Sequence, residues 1–215
     1  MLTQSIKDVY FLANRFLCLP NTQIARFRFR RPVHPEGHYL HLGCGDDYIE
    51  GMINVDGNIR RRKNAWLDLR NRLPCRDESV HVLYCSHTLE HLFPDDAIRL
   101  LQEMRRVLSN DGIVRLAVPS FEHCLRIANG EIDSHWPRQF DDAMSQAINY
   151  IFCDGQHKYA YCFELIQRFA SDAGFRRITN YSAESGVAEK PYGRVVLGNE
   201  PRGSLVVELQ RFLFR

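Results

Sequence analysis

The sequence predicts an α/β fold in which helices flank a mostly parallel sheet. Two observations carry that expectation. Short apolar runs at 39–43, 52–56, 80–85 and 113–118 alternate with segments whose apolar residues recur at helical spacing. At 215 residues the chain also suits one α/β domain with a small addition, long enough to bury a full core.

Ile6, Val9, Tyr10, Ala13, Phe16 and Leu17 lie at helical spacing across 5–18, and Pro20 is expected to end that helix. It is read as an amphipathic helix outside the core fold, docked on the domain. A lid or a membrane-surface helix is the sharper reading, for which Lys7 and Arg15 are thin cationic support. Residues 1–36 are accordingly set apart as a helix and basic arm, with the alternating piece Phe27–Arg30 and a turn from Pro32 to Gly37 leading into the domain at 37–215.

Eight residues separate Gly43 from Met52, too few for a crossover helix of about 10 residues, so a loop or short helical turn is expected between the first two strands. A third strand is read at Ala65–Leu67 and a buried fourth at Val80–Cys85. A helix opens at Asp95 and Asp96 and runs through Leu108, with Ile98, Leu101, Met104 and Val107 on one face. Asn110-Asp111-Gly112 turns into a strand at Ile113–Val118 that Pro119 ends. Residues 120–158 are irregular in pattern, apart from a helix near 142–152. Tyr161–Ala173 is helical with Gly174 suited to the position just past its end, followed by strands at Phe175–Thr179 and Ser204–Gln210.

A net charge of +2 gives no global case for nucleic-acid binding, and none is expected. Charge is uneven, however. Residues 1–36 carry Lys7, Arg15, Arg26, Arg28, Arg30 and Arg31 against Asp8 and Glu36, and Arg60–Lys63 forms a second basic run. Each is read as a solvated surface, or more sharply as a site for phosphate, acidic glycan or lipid headgroups. Seven widely spaced cysteines with no C-x-x-C pair argue against a disulfide framework or structural zinc, and for a reducing cytosol. No apolar run approaches the ~20 residues of a spanning helix, and Asp8, Asn14 and Arg15 break any signal-peptide core. A cytoplasmic location is expected.

The chemistry concentrates in Tyr39–Asp47 and Met52–Asp56. An apolar run enters the turn Gly43-Cys44-Gly45, and the next run ends on Asp56, a carboxylate placed to accept from a ribose diol. A dinucleotide fingerprint needs glycine at position 48, which is Tyr48, and no Lys-Ser/Thr follows to make a phosphate loop. The ordered set Leu42-Gly43-Cys44-Gly45, Asn54-Val55-Asp56, Asp68-Leu69, Ser86-His87-Thr88-Leu89-Glu90-His91-Leu92 and Arg105–Gly112 resembles class I S-adenosylmethionine-dependent methyltransferases. The nearest likeness is a short bacterial branch with L-G-C-G and S-x-H-x-L-E-H motifs. It covers residues 37–120 strongly and His157–Phe175 more loosely.

That resemblance implies a Rossmann-like, seven-stranded, mostly parallel sheet with an antiparallel last strand and helices on both faces. It also implies S-adenosyl-L-methionine as cofactor. By the same likeness Leu42, Gly43, Cys44 and Gly45 hold the methionine part, Asp56 the ribose, and Asp68 and Leu69 the adenine. Ser86 and His87 lie near the sulfonium. Asp47 stands where the wider superfamily has a third glycine, and Met52 where the branch has an aromatic.

His87, His91 and His157 are the candidate bases for an oxygen acceptor, because a neutral imidazole takes a proton near pH 7. Glu90 is read as a structural hydrogen-bonding or ion-pairing group near a helix start. The competing pattern is His87-x-x-Glu90-His91, an H-x-x-E-H zinc-peptidase motif; it requires a helix and leaves the upstream signals unexplained. No metal is assigned. Glu122, His123, His135, Trp136, Phe140, Asp141 and Tyr150 fall in the segment 120–160 that is expected to shape the substrate pocket. The resemblance points to a saccharide or glycan-precursor hydroxyl as acceptor: a phosphorylated, nucleotide-linked or lipid-linked sugar, with peripheral membrane contact in the last case. A secondary metabolite, or cofactor binding without catalysis, are the alternatives.

Overall fold

The computed structural model describes residues 4–32, 34–131, 140–181, 190–192, 195–197 and 200–212. Strands are β1 (His38–Leu42), β2 (Ile53–Asp56), β3 (Ala65–Trp66), β4 (Val80–Ser86), β5 (Leu108–Pro119), β6 (Arg177–Asn180), β7 (Lys190–Tyr192), β8 (Val195–Leu197) and β9 (Ser204–Gln210). Helices are α1 (Gln4–Arg28), α2 (Pro94–Val107), α3 (Phe121–Ala128), α4 (Ala143–Phe152) and α5 (Phe163–Asp172).

Seven strands form one sheet in the order β3-β2-β1-β4-β5-β9-β6. The pairs from β3 to β5 are parallel, and β9 runs antiparallel to both β5 and β6. The sheet is therefore the mostly parallel one expected, with its last strand reversed and helices flanking it. Order reverses at β1, which starts the walk in both directions, so a crevice opens at the carboxyl ends of β1, β2 and β4.

Alternation along the strands separates two buried clusters. Leu40, Leu42, Leu83 and Cys85 pack with residues of α1, α2 and α5, including Ala25, Leu101 and Ile166. Tyr39, Val82 and Tyr84 pack instead with Tyr192 and Leu197 of the β7–β8 hairpin. Helix α5 ends as its glycine predicted. Gly174 has φ +95°, its N–H donates to the carbonyl of Ser171 (2.9 Å), and the N–H of Phe175 donates to that of Ala170 (3.0 Å), a Schellman closure.

Three local expectations are corrected. Helix α1 does not stop at Pro20 but runs through it to Arg28. The proline forfeits one backbone bond, while Cys18, Thr22 and Ala25 stay buried on the same face and Asn21 Nδ2 donates to the carbonyl of Trp66. Packing overrides the local breaker, and Phe27–Arg28 belong to the helix end. Residues 121–128, read as irregular, form α3, whose N-cap Ser120 accepts from the N–H of His123 (3.1 Å). The turn at Asn110–Gly112 lies within the span of β5: Val80 pairs with Leu108 and Val82 with Ile113, so the residues between are looped out as an irregularity in one strand.

Candidate active site

The crevice is a cavity of about 640 Å³. Its floor is the turn after β1. Gly43 has φ +68°, and a Cβ there would lie 2.1 Å from Thr88 Oγ1, so both backbone and space require glycine. The N–H groups of Gly43 and Cys44 both donate to the carbonyl of Val55 (2.8 and 3.0 Å), tying the turn to β2. Gly45 has φ +51°, and a Cβ on it would meet nothing within 4 Å, which leaves open cavity above its backbone.

Asp56, at the tip of β2, lines the same cavity. One carboxylate oxygen accepts from the N–H of Gly45 (2.8 Å) and the other from that of Asn58 (2.5 Å), which fixes the carboxylate at the wall. Asp68 and Leu69 also line it. Asp68 is held from both sides: Arg70 donates from Nε (2.9 Å) and Nη2 (2.6 Å), and Asn14 Nδ2 lies 3.5 Å away. Leu42, Cys44 and Ser86 are not on the wall. Leu42 is in the core, and the Cys44 thiol is buried and pushed up to about 11 by that burial. Ser86 is half-buried, its carbonyl accepting from Thr88 Oγ1 (3.1 Å).

Another wall comes from the segment after β4. His87 has left-handed backbone, φ +46°, and residues 89–91 form a single 3₁₀ turn. The H-x-x-E-H stretch thus lacks the helix on which two histidines four apart would share a face, which removes the zinc-peptidase geometry. His87 and His91 line the cavity. His87 Nε2 donates to Ser204 Oγ (2.8 Å), which itself donates to the carbonyl of Pro201 (2.6 Å). His91 Nδ1 donates to the carbonyl of Gln156 (3.2 Å), so Nε2 keeps its lone pair on an exposed side chain.

His157 is not on this wall. It lies behind it, beside a second, much smaller pocket shared with Glu90, Phe121 and Tyr159. Its Nδ1 donates to the carbonyl of Ile151 (2.8 Å), and burial holds its pKa below the ordinary value, so the ring is neutral. Glu90, read from the sequence as a hydrogen-bonding or ion-pairing group near a helix start, is instead buried, 1% exposed, and neither carboxylate oxygen has a hydrogen bond. His87 Nδ1 stands 3.4 Å and His157 Nε2 3.9 Å from Oε1, and the His91 and His157 rings meet edge to face at 4.9 Å. Ligand atoms of Glu90, His91 and His157 lie within 4.8 Å of one another.

Sequence reasoning offered α1 as a lid only as the sharper alternative to a docked helix, and named none of its residues for the third wall that it forms. Phe11, Leu12 and Asn14 line the cavity. Tyr10 Oη donates to the carbonyl of Gly57 (2.8 Å) and Asn71 Nδ2 to that of Arg15 (2.7 Å). Thr88 was also missed, although its hydroxyl and methyl fill the space that Gly43 leaves. Of the segment 120–160, His135 and Trp136 lie outside the described residues. Phe140 and Asp141 are exposed, Glu122 accepts from Ser120 Oγ (3.0 Å), and His123 is buried. The basic run is largely engaged: Arg61 pairs with Asp46, Arg62 with Glu50 (3.1 Å), and Lys63 Nζ donates to carbonyls of its own loop.

Comparison with known proteins bears on the fold and on the stretch that carries the glycine turn. A family model described as a methyltransferase domain matches residues 43–116, from the glycine turn to β5. No curated protein matches the sequence. Among solved structures, the chain is similar to an S-adenosylmethionine-dependent methyltransferase of Thermotoga maritima, described as a possible histamine N-methyltransferase. Identity is 18% and TM-score 0.51, over 97% of this chain and 95% of that one. It is also similar to a putative methyltransferase of Haloferax volcanii solved with its Trm112 activator (14%, TM-score 0.53, 95% and 96% covered). A third likeness is to a methyltransferase of Archaeoglobus fulgidus (16%, TM-score 0.50, 87% and 93% covered). At these identities the likeness establishes a shared fold. The chain carries the fold of class I S-adenosylmethionine-dependent methyltransferases, with a methyltransferase-domain match over its glycine turn and sheet centre. S-adenosylmethionine is the cofactor that fold and match indicate, and the open backbone at Gly45 beside the Asp56 carboxylate fits it.

Proposed function

We propose that the protein transfers a methyl group from S-adenosylmethionine to a hydroxyl of a small-molecule acceptor, a saccharide or glycan precursor. One observation carries the reading: a single cavity is lined both by Gly45 and Asp56 and by two imidazoles, those of His87 and His91. Gly43 and Gly45 admit the methionine part against backbone, Asp56 takes the ribose hydroxyls, and Leu69 with Asp68 border the adenine. Held there, the cofactor would supply an electrophilic methyl group on a sulfonium: the acceptor oxygen would form the O–C bond in line as the C–S bond breaks, the electron pair staying with sulfur. Positioning supplies much of the rate, and no metal is needed.

The acceptor hydroxyl must lose its proton. His91 Nε2 is the lone pair left on an exposed ring at the wall, so His91 is the foremost base and His87 the second; His157 stands one layer back. The test has two parts. S-adenosylhomocysteine, but not NAD, should raise the melting temperature. Sugar hydroxyl acceptors should then yield methylated product, at a rate lowered about a hundredfold or more in His91→Ala with the S-adenosylhomocysteine response retained. Full activity in His87→Ala, His91→Ala and His157→Ala alike would remove the assigned base.

A further inference from the structure

Helix α1 buries one face and leaves the opposite one apolar. Asn14, Cys18, Thr22 and Ala25 are turned into the protein. On the outward side stand Ile6, Val9, Phe16, Leu17, Ile24 and Phe27, with Val9 67% and Phe16 66% exposed. A soluble helix carries its polar residues on that side, so a run of large apolar groups over most of its length calls for a covering surface.

Charge says what kind. From Val9 to Pro35 the sequence has no Asp or Glu and five arginines, at 15, 26, 28, 30 and 31. Continuation of α1 through Pro20 puts Arg26 on the same helix as the apolar face, with exposed Arg30 and Arg31 just beyond it. A second copy of this chain would bring those cations against their like, whereas an anionic lipid surface complements them. No helix among the described residues is long and apolar enough to cross a membrane, so α1 would lie in the interface. The face is also continuous with the cavity mouth: Phe11, Leu12 and Phe93 are 45%, 65% and 62% exposed and line the cavity.

We infer that α1 docks the protein on an anionic lipid surface by its outward apolar face and its arginines, with the cavity mouth turned toward that surface. On the proposed methyl-transfer reading, on which this last step rests, the acceptor class is a lipid-linked one presented by the membrane. The docking itself is tested without activity. Full-length protein should float with phosphatidylcholine vesicles containing phosphatidylglycerol, weakly with phosphatidylcholine alone, and less at raised salt. Phe16→Glu with Phe27→Glu should abolish flotation, and replacing Arg26, Arg30 and Arg31 by Gln should weaken it about a hundredfold. Both variants should keep the wild-type melting temperature and its shift with S-adenosylhomocysteine, since these side chains stand outside the cavity. Absence of wild-type flotation overturns the inference, as does a dimer in solution that the Phe16/Phe27 variant dissociates while vesicles are ignored. A protein that floats but ignores S-adenosylhomocysteine would sink the methyl-transfer reading and leave the docking standing.

Discussion

Two buried charged groups in this molecule are treated in opposite ways. Arg115 in β5 is fully buried, yet every face of its guanidinium is met. Glu200 accepts from Nε and from Nη2 (2.9 Å), Tyr192 Oη accepts from Nη1 (2.8 Å), and Glu208 lies 3.6 Å away and accepts a hydrogen bond from the Tyr192 hydroxyl. Glu90 is equally buried and unbonded, ringed by imidazoles whose other nitrogens are already tied to Ser204 and the carbonyl of Ile151. In neutral tautomers His87 Nδ1 and His157 Nε2 would both turn lone pairs on the carboxylate. A saturated buried network fixes structure; an unsaturated one beside a cavity stores chemical potential for a reaction.

That contrast can be broken experimentally. Arg115→Ala leaves two carboxylates buried without their cation and should cost about 3–5 kcal/mol in urea unfolding. Asp56→Ala removes the carboxylate proposed to take the ribose hydroxyls and should weaken S-adenosylhomocysteine binding about 10- to 100-fold by calorimetry, at a stability cost of about 1–3 kcal/mol from the two backbone N–H groups it leaves unpaired. Glu90→Gln keeps shape and gains a donor toward the imidazoles. Its stability should stay within about 1 kcal/mol of wild type or rise, while turnover near neutral pH falls. If Glu90→Gln unfolds as readily as Arg115→Ala, the two clusters are the same kind and the distinction is lost.

The smallest effect is a pH dependence. His38, His41 and His157 all have pKa values held below the ordinary 6.5, burial being the foremost cause in each. The folded state therefore binds fewer protons than the unfolded one, and stability rises with pH in this range. It should be complete above pH 6.5 and decline as pH falls below it, seen as a dropping melting temperature between pH 7 and 5. A flat profile would mean that these rings ionise as freely in the folded protein as in the unfolded one.

The sheet was legible because buried parallel strands are written as continuous apolar runs, and the donor end because Gly43, Gly45 and Asp56 sit within one strand-turn-strand unit. Where partners are distant in the chain, legibility failed. Asn14 meets Asp68 across 54 residues, and nothing local in 5–18 says that α1 forms a cavity wall. Pro20 misled for the same reason: its cost is local and the packing that offsets it is not. Glu90 misled differently. Spacing placed it beside a helix start, but the left-handed backbone of His87 and the 3₁₀ turn after it rotate its carboxylate inward.

Thr88 seated in the space that Gly43 vacates has a consequence for how this cavity could be altered. Its hydroxyl also donates to the carbonyl of Gly43 (3.3 Å), so the glycine turn and the histidine segment are tied together and neither shifts without the other. Substitutions in α1, which lies outside that joint and lines the cavity at Phe11, Leu12 and Asn14, would reshape the cavity and leave the joint undisturbed.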